Sequence, residues 1–210
     1  MANILVFGSS TTLGFNDFKE GGWVDRLKKF VNEINEKEKL SHAVYNLGVD
    51  GDDTQGLLKR FLTEAKPRCW PNSKNIIIFE IGTNDSIVNA DKSRRTPPEK
   101  FGENLKKIIS QSKKLTKYVT FVSLNPVIEE RLTPVPWSPN ESYYEAEVER
   151  YDNIIKKVCK QKGVDLIDLF KETSKYAFKK YIDDGVHPNT KGHEIIFKTV
   201  KNFLEEKKYI

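Results

Sequence analysis

The chain has 210 residues, with 35 Lys or Arg against 30 Asp or Glu and a formal net charge of +5. A hydrophobic share of 38% and an aromatic share of 11% exclude a disordered chain, which lacks the apolar groups that offset ordering entropy. No apolar run approaches the ~20 residues that span a bilayer, and the length predicts a single domain over residues 1–210.

Charged residues and cysteines predict little about partners. Acidic and basic residues alternate, as in Asn32–Lys39, which is typical of a solvated helix face and gives no indication of nucleic-acid binding. Cys69 and Cys159 are too few for a disulfide framework or a cysteine metal site. The first residues, Met1–Phe7, lack the basic region and long apolar run of a signal peptide. We therefore expect a cytoplasmic protein with reduced thiols.

Five short apolar runs, rich in β-branched residues, are predicted to be strands. Near-continuous apolarity suits strands that are covered on both faces, as in a parallel sheet. In chain order these runs are Ile4–Phe7, Ala43–Leu47, Ile76–Phe79, Val119–Val122 and Val164–Ile167.

The stretches between and after these runs carry apolar residues at helical spacing. Alternating strands and helices predict a doubly wound α/β domain with three layers, α/β/α. The Pro-rich stretch Asn125–Asn140 is predicted to be an ordered loop before a helix. The helical apolar positions are Trp23, Leu27, Phe30, Val31 and Ile34; Leu57, Leu58, Phe61 and Leu62; Phe101, Leu105, Ile108, Ile109 and Leu115; Val148, Tyr151, Ile154, Ile155 and Val158; and Ile195, Ile196, Val200 and Phe203.

Small polar residues and glycines follow the predicted strands. They lie in Gly8–Gly14, Gly48–Gly51 and Gly82–Asp85, and the loop after the fifth strand is expected to run through a short helical stretch to Asp183–Asn189. In an open parallel sheet, ligands bind beyond the carboxyl ends of the strands. We therefore expect these four segments to converge on one edge of the sheet and to form the functional site there.

The residues in these segments suit nucleophilic catalysis by a hydroxyl group. Such catalysis needs a nucleophile, a base, a carboxylate that orients the base, and donors for the oxyanion. Ser10 is the candidate nucleophile, His187 the base and Asp184 the orienting carboxylate. The expected oxyanion donors are the backbone N–H of Ser10, the side-chain amide of Asn84 and the N–H of Gly48, where the missing Cβ lets a substrate approach closely.

Four blocks of the sequence resemble the SGNH, or GDSL-type, esterase and lipase family. They are Gly8-Ser9-Ser10-Thr11, the glycine of Asn46–Gly51, Gly82-Thr83-Asn84-Asp85 and Asp184-Gly185-Val186-His187-Pro188, in the order that the family has. The resemblance implies a flavodoxin-like five-stranded parallel sheet of order 2-1-3-4-5. It also implies hydrolysis of carboxylic esters without a metal or another cofactor.

One position departs from the family pattern. The family's Asp after the first glycine is Ser9 in this sequence. In the family that Asp is neither the nucleophile nor the base, so both of these are retained here. Its replacement bears on the shape of the turn. Ser9 is also a competing nucleophile. A lipase elbow Gly-x-Ser-x-Gly is absent, because Thr12 stands at the second glycine.

Several residues have a structural alternative to a functional role. Ser10 can be a helix N-cap, Asn84 a turn residue that bonds its own backbone, and Gly48 or Gly82 a turn glycine with positive φ. Asp85 is expected to stabilise its own turn. Among the other polar candidates, Asp183 is expected to face solvent and Asn189 to cap a helix. His42 and His193 are expected to be structural or exposed.

Acidic and aromatic clusters also allow two interpretations. The acids Asp50, Asp52, Asp53 and Asp85 are compatible with a cation, but they are expected to mark a helix start instead. The aromatic residues of the Pro-rich region, Trp137, Tyr143 and Tyr144, either line an alcohol or acyl pocket or cover the core.

The sequence thus predicts a serine ester hydrolase that acts on a small-molecule, lipid or carbohydrate ester, with short-chain or acetyl esters favoured because no large apolar lid is evident. A ligand-binding module on the same fold, catalytically weak or inactive, is the alternative. A nucleotide- or phosphate-binding protein is the third possibility, although the loop lacks Gly-x-x-x-x-Gly-Lys and Gly-x-Gly-x-x-Gly. The sequence predicts no oligomeric state.

Overall fold

A computed structural model describes residues 1–169, 171 and 177–210 of the chain. Within these residues the strands occupy all five of the predicted runs, and two short strands are added. The strands are Ala2–Gly8 (β1), Ala43–Gly48 (β2), Lys74–Glu80 (β3), Val88–Asn89 (β4), Tyr118–Val122 (β5), Glu141–Ser142 (β6) and Asp165–Ile167 (β7).

The helices follow the predicted apolar stripes closely. Leu115 is the exception, since its helix ends before it. Asp53 and Asn189 cap the helices that begin at Thr54 and Thr190, each by accepting two backbone N–H groups. The helices are Ser10–Leu13 (α1), Trp23–Glu38 (α2), Thr54–Ala65 (α3), Pro98–Lys113 (α4), Glu145–Lys162 (α5) and Thr190–Glu206 (α6).

The main sheet has the order β2-β1-β3-β5-β7, and all of its strand pairs are parallel. Counting only these five main strands, the order is 2-1-3-4-5, so the predicted fold is confirmed. Gly8 pairs in register with Gly48 and with Glu80. The carboxyl ends of β2, β1 and β3 therefore lie side by side, which positions the loops that follow them.

The sheet separates two apolar cores. Alternate residues of a strand point to opposite faces, so Leu5 and Phe7 pack against α3, α4 and α5, whereas Ile4 and Val6 pack against α2 and α6. This double covering explains why the central strands are apolar throughout. Strand β2 is an edge strand and is mostly half-buried, which differs from the expectation of cover on both faces.

The long connections differ in structure. The Pro-rich loop contains one 3₁₀ turn at Glu129–Arg131 before β6, which pairs antiparallel with β4. The short helical stretch expected before Asp183 lies partly outside the described residues, and a 3₁₀ turn occupies Phe178–Tyr181. None of the helices in the described part of the chain is long and apolar enough to cross a membrane.

Candidate active site

The turn between β1 and α1 places Ser10 at the carboxyl edge of the sheet. Ser9 occupies the N-cap position and Ser10 is the first residue of α1, so the alternative that Ser10 is a helix cap is wrong. Ser10 is buried, with 6% of its surface exposed. A Cβ added to Gly8 would lie 2.0 Å from Thr12 Oγ1 and 2.3 Å from the carbonyl oxygen of Glu80, so this turn has no room for a side chain.

The structure brings Ser10, His187 and Asp184 into one hydrogen-bonded chain. Ser10 Oγ lies 2.8 Å from His187 Nε2, and His187 Nδ1 lies 2.6 Å from Asp184 Oδ2. The serine and the histidine are 177 positions apart in the sequence and meet only through the tertiary fold. The arrangement allows the serine proton to pass to an imidazole whose other nitrogen faces a carboxylate.

Asp184 is held in position by further hydrogen bonds. Its Oδ1 accepts the backbone N–H groups of Val186 at 3.0 Å and His187 at 2.8 Å, and its Oδ2 accepts Asn16 Nδ2 at 2.9 Å. Burial opposes ionisation, but the hydrogen bonds from the His187 ring and from these backbone groups lower the pKa of Asp184 to about 2. The carboxylate is therefore ionised at neutral pH.

The loop that carries His187 is anchored by the helix that follows it. Asn189 Oδ1 accepts the N–H groups of Lys191 and Gly192, which confirms the predicted cap of α6. Asn189 Nδ2 also donates to Asp183 Oδ1 at 2.8 Å, and Asp183 is exposed as predicted. The end of this loop thus has a fixed connection to α6.

Gly48 contacts the serine turn directly. A Cβ at this position would lie 2.3 Å from the backbone nitrogen of Leu13, so α1 itself requires a glycine here. Close packing against α1 is thus a structural reason for this glycine, beside the expected close approach of a substrate. The Gly48 N–H donates to Asn46 Oδ1 at 3.1 Å, and Asn46 Nδ2 donates to the carbonyl of Leu13 at 3.3 Å.

Asn84 lies in a 3₁₀ turn after β3 and contacts two other segments. Its Nδ2 donates to the backbone carbonyl of Asp52 at 2.8 Å, and its Oδ1 accepts the hydroxyl of Tyr143 at 2.7 Å. The alternative that Asn84 bonds its own turn is therefore wrong. Gly82, just before it, has φ +138, and a Cβ there would lie 2.9 Å from Phe101 Cζ, so the structural role expected of this glycine is confirmed.

The acidic residues near α3 bind protein groups. Asp53 accepts the N–H groups of Gln55 and Gly56, which confirms the predicted helix start. Asp85 accepts Thr54 N and Oγ1, so it fixes the start of α3 and does not act on its own turn as expected. Burial, opposed by the Thr54 hydrogen bonds, raises the pKa of Asp85 to about 7.

The same acids are compatible with a cation by residue type alone. Among residues 1–169, 171 and 177–210, no group of three or more His, Cys, Asp or Glu side chains is arranged to hold a metal ion.

Asp52 Oδ2 accepts Arg60 Nε at 2.8 Å. The same guanidinium donates to the carbonyls of Leu47 at 2.9 Å and Gly8 at 3.2 Å, so it joins the ends of β1 and β2.

Two aromatic rings border His187. The Phe15 ring centroid lies 4.5 Å from that of His187, and the Trp137 ring is stacked at 6.3 Å. Trp137 is 57% exposed, whereas Tyr143 belongs to the apolar core and Tyr144 is the N-cap residue before α5. The three aromatic residues that the sequence grouped together thus have three different environments.

Sequence reasoning missed Phe15, Asn16, Arg60 and Glu80. Phe15 and Asn16 directly follow the segment Gly8–Gly14, which was the available signal. Glu80 is fully buried at the end of β3, where it accepts Thr12 Oγ1 at 2.8 Å. Nothing in a single sequence distinguishes this glutamate from the exposed ones.

The remaining histidines and cysteines have structural environments. His42 Nδ1 accepts the N–H of Ala2, and His193 is fully buried between the N–H of Trp23 and the carbonyl of Phe15. Both histidines are structural, as expected. Cys69 and Cys159 are free thiols in the structure.

This fold, with a serine–histidine–aspartate chain at its carboxyl edge, is similar to the fold of known hydrolases. The GDSL-like lipase/acylhydrolase family model matches residues 6–195, and the chain therefore belongs to that family. The resemblance stated from the four blocks, with the fold that it implied, is confirmed.

Individual proteins of related structure or sequence include two esterases. The lipase/acylhydrolase from Enterococcus faecalis superposes with a TM-score of 0.78 at 22% identity, covering 99% of this chain and 97% of that chain. An acetylxylan esterase from Geobacillus stearothermophilus superposes with a TM-score of 0.67 at 19% identity, covering 97% and 93%. The Homo sapiens isoamyl acetate-hydrolyzing esterase 1 homolog is 25% identical over 97% of this chain and 82% of that protein.

Proposed function

We propose that this protein is a serine esterase that cleaves carboxylic esters through an acyl-enzyme, with Ser10 as the nucleophile. The observation that carries the proposal is the 2.8 Å contact between Ser10 Oγ and His187 Nε2, with Asp184 behind the imidazole. Membership of the GDSL-like lipase/acylhydrolase family supports the same reaction class.

Acylation begins when His187 Nε2 accepts the Ser10 proton as Oγ attacks the ester carbonyl. Asp184 remains ionised and stabilises the imidazolium that forms. The tetrahedral intermediate then collapses, the bond to the alcohol breaks, and His187 donates its proton to the leaving oxygen. Water activated by His187 attacks the acyl-enzyme and releases the acid, which regenerates the Ser10 hydroxyl.

Three groups are the proposed donors to the oxyanion. The Ser10 N–H is at the first position of α1, where helical N–H groups lack an intrahelical acceptor. Asn84 Nδ2 uses one hydrogen for the carbonyl of Asp52 and has a second to offer. The single hydrogen of the Gly48 N–H is bound to Asn46 Oδ1, so this donor contributes only after Asn46 moves.

Short-chain or acetyl esters are the proposed substrates. The names of two similar proteins, an isoamyl acetate-hydrolyzing esterase homolog and an acetylxylan esterase, both refer to acetyl esters. The exposed Trp137 and the neighbouring Phe15 supply apolar surface beside His187, on the side where a leaving alcohol has to accept a proton.

The experiment is a rate comparison on p-nitrophenyl acetate, butyrate and octanoate. Ser10→Ala and His187→Ala are expected to lose nearly all activity, whereas Ser9→Ala, the matched control, is expected to remain active. EDTA is expected to leave the rate unchanged. Ester hydrolysis that persists in Ser10→Ala, or that disappears in Ser9→Ala alone, would show that the nucleophile is assigned wrongly.

Fluorophosphonate labelling distinguishes an esterase from a binding module on the same fold. The reagent phosphonylates an activated serine hydroxyl, so intact mass should increase for the wild type and remain constant for Ser10→Ala. A wild-type protein that neither hydrolyses these esters nor reacts with the reagent would favour the binding module.

A further inference from the structure

The carboxamide of Asn84 is bound at both of its ends. Nδ2 donates to the carbonyl oxygen of Asp52 at 2.8 Å, and Oδ1 accepts the hydroxyl of Tyr143 at 2.7 Å. A carbonyl oxygen can only accept, so the amide nitrogen has to face Asp52 and the amide oxygen has to face Tyr143. These two contacts together fix the direction of the second N–H of Asn84.

We propose that Tyr143 is a positioning residue that holds the Asn84 carboxamide in the orientation needed to donate its second N–H to the substrate oxyanion. The inference rests on the proposed function, because the oxyanion exists only during ester hydrolysis. Tyr143 acts through Asn84 and has no contact with substrate of its own.

Burial makes this contact difficult to replace with water. Asn84 is 7% exposed and Tyr143 is 6% exposed. In such surroundings an amide oxygen without its donor is costly, and an intact hydrogen bond is electrostatically stronger than in water. Burial also raises the pKa of the Tyr143 phenol far above its usual value, so the hydroxyl keeps its proton and remains a donor.

The backbone around Tyr143 places its hydroxyl relative to the turn of Asn84. Strand β6, which immediately precedes Tyr143, pairs with β4, and Val88 opposes Ser142 in that pair. The Tyr143 N–H donates to the carbonyl of Leu132 at 3.2 Å, and its ring lies in the apolar core. The end of the Pro-rich segment is thereby fixed next to the loop that carries Asn84.

An ion pair reinforces the same connection. Arg95 Nη2 lies 2.6 Å from Glu141 Oε1, so the segment after β4 is joined to β6 through side chains as well as backbone. The segment between β5 and α5 thus has a role that the sequence did not indicate: it orients a side chain of the third block.

The test is a double-mutant cycle of Tyr143→Phe and Asn84→Ala, measured as kcat and KM for p-nitrophenyl acetate. Tyr143→Phe is expected to lower kcat roughly 10-fold with little change in KM, less than the ~100-fold or greater loss typical when an oxyanion donor is removed. In the Asn84→Ala background, Tyr143→Phe is expected to have no further effect, because the group it positions is gone.

Tyr151→Phe is the matched control. Tyr151 is a fully buried tyrosine of the same core, and its hydroxyl donates to the carbonyl of Thr96 and not to Asn84. This variant loses an equivalent buried hydroxyl and is expected to keep the wild-type kcat. Thermal unfolding of all variants checks that each is folded under assay conditions.

The outcomes separate this inference from the proposed function. A wild type without ester hydrolysis overturns both, and an Asn84→Ala variant at full speed overturns the role of Asn84 and of Tyr143 with it. If Asn84→Ala is slow, three results would overturn this inference and leave the proposed function intact. The first is a Tyr143→Phe variant with the kcat of the wild type, and the second is a double variant in which the two losses in kcat multiply. The third is a Tyr151→Phe variant that is as slow as Tyr143→Phe. If Tyr143→Phe does not fold, 4-aminophenylalanine at this position, which retains a donor, must keep the wild-type kcat.

Discussion

Asp184 contacts His187 through both of its carboxylate oxygens. Oδ2 lies 2.6 Å from His187 Nδ1, and Oδ1 accepts the His187 backbone N–H at 2.8 Å. An ionised carboxylate can only accept, so the hydrogen of a neutral imidazole is on Nδ1 and the lone pair of Nε2 faces Ser10. One short loop therefore fixes both the position and the tautomer of the histidine.

Asp184→Asn should distinguish the effect of the position of His187 from the effect of its tautomer. Asparagine can still accept the backbone N–H groups through its oxygen, but its amide nitrogen then faces Nδ1 and favours the wrong tautomer. We expect kcat for p-nitrophenyl acetate to fall by about 10⁴, as in serine hydrolases with the corresponding change, while KM changes little. Asp183→Asn, at the exposed neighbour, is the control and should stay within twofold of wild type. Equal losses in the two variants would contradict the assignment.

Glu80 should make stability depend on pH. Burial, opposed by the hydrogen bonds from Thr12, raises the pKa of Glu80 from 4.5 to about 7. Between these two values the folded state binds more protons than the unfolded state, so the free energy of unfolding should fall as pH rises and level off above about 7.

Urea unfolding of Glu80→Gln at pH values between 4.5 and 8 measures this contribution. In Glu80→Gln, the fall in the free energy of unfolding with rising pH should be smaller than in the wild type by up to about 3 kcal/mol. The fall that remains should come from buried Asp85, whose pKa is also raised to about 7. Glu33→Gln, on the exposed side of α2, should leave the pH profile unchanged. A Glu80→Gln profile parallel to that of the wild type would show that Glu80 does not titrate in this range.

Gly48→Ala should disturb the serine turn. The added Cβ would lie 2.3 Å from the nitrogen and 2.8 Å from the Cα of Leu13, and both are backbone atoms of α1. We expect the free energy of unfolding to fall by about 1–3 kcal/mol and kcat to fall roughly tenfold or more, since Ser10 must move with α1.

The control for this substitution is Gly102→Ala. Gly102 lies within α4, and a Cβ there would meet Ile154 Cγ2 at an ordinary contact distance of 3.6 Å. This change should leave kcat unaltered and should not destabilise the protein, because alanine favours helix by about 1 kcal/mol over glycine. Wild-type kcat in Gly48→Ala would show that α1 tolerates the displacement.

Trp137→Ala should affect the alcohol part of the substrate. In the proposed reaction His187 protonates the leaving alcohol, so that alcohol has to lie near the rings that border the imidazole. We expect KM to rise roughly 5-fold for isoamyl or benzyl acetate, whose alcohols are large and apolar, and to change little for methyl acetate.

Trp70→Ala is the matched control, because Trp70 is a comparably exposed tryptophan located before the amino end of β3. Its KM values should equal those of the wild type for all three acetates. A uniform rise in KM for every acetate in Trp137→Ala would indicate a role other than contact with the alcohol.

The periodicity of apolar residues predicted the three-layer α/β/α architecture, whereas the strand order 2-1-3-4-5 was implied by the resemblance of the four blocks to the SGNH family. Ile76–Phe79 is continuous in apolarity because alternate residues enter two different cores, and this pattern distinguishes a covered strand from a half-exposed one. Element ends were less well predicted, since Leu115 is apolar but lies beyond the end of α4. An apolar side chain can join a core from a loop as well as from a helix.

The candidate site was predicted in part. Ser10, Asp184 and His187 were identifiable because their chemistry and spacing occur in local blocks. The environment of Asn84 was not, because its two partners come from Asp52 and Tyr143, which lie in other segments of the chain. No local pattern encodes a hydrogen bond between residues that are 59 positions apart.

The sequence by itself determined the order of strands and helices and the residue types available at the sheet edge, because side-chain periodicity and turn chemistry are local properties. Only the tertiary structure decided which of these groups meet: the 2.8 Å contact of Ser10 with His187, the close packing of Gly48 against Leu13, and the burial of Glu80 beneath the serine turn. Those relationships depend on how distant segments pack. Packing sets the distances between groups and their exposure to solvent, and these in turn determine hydrogen bonds and pKa values.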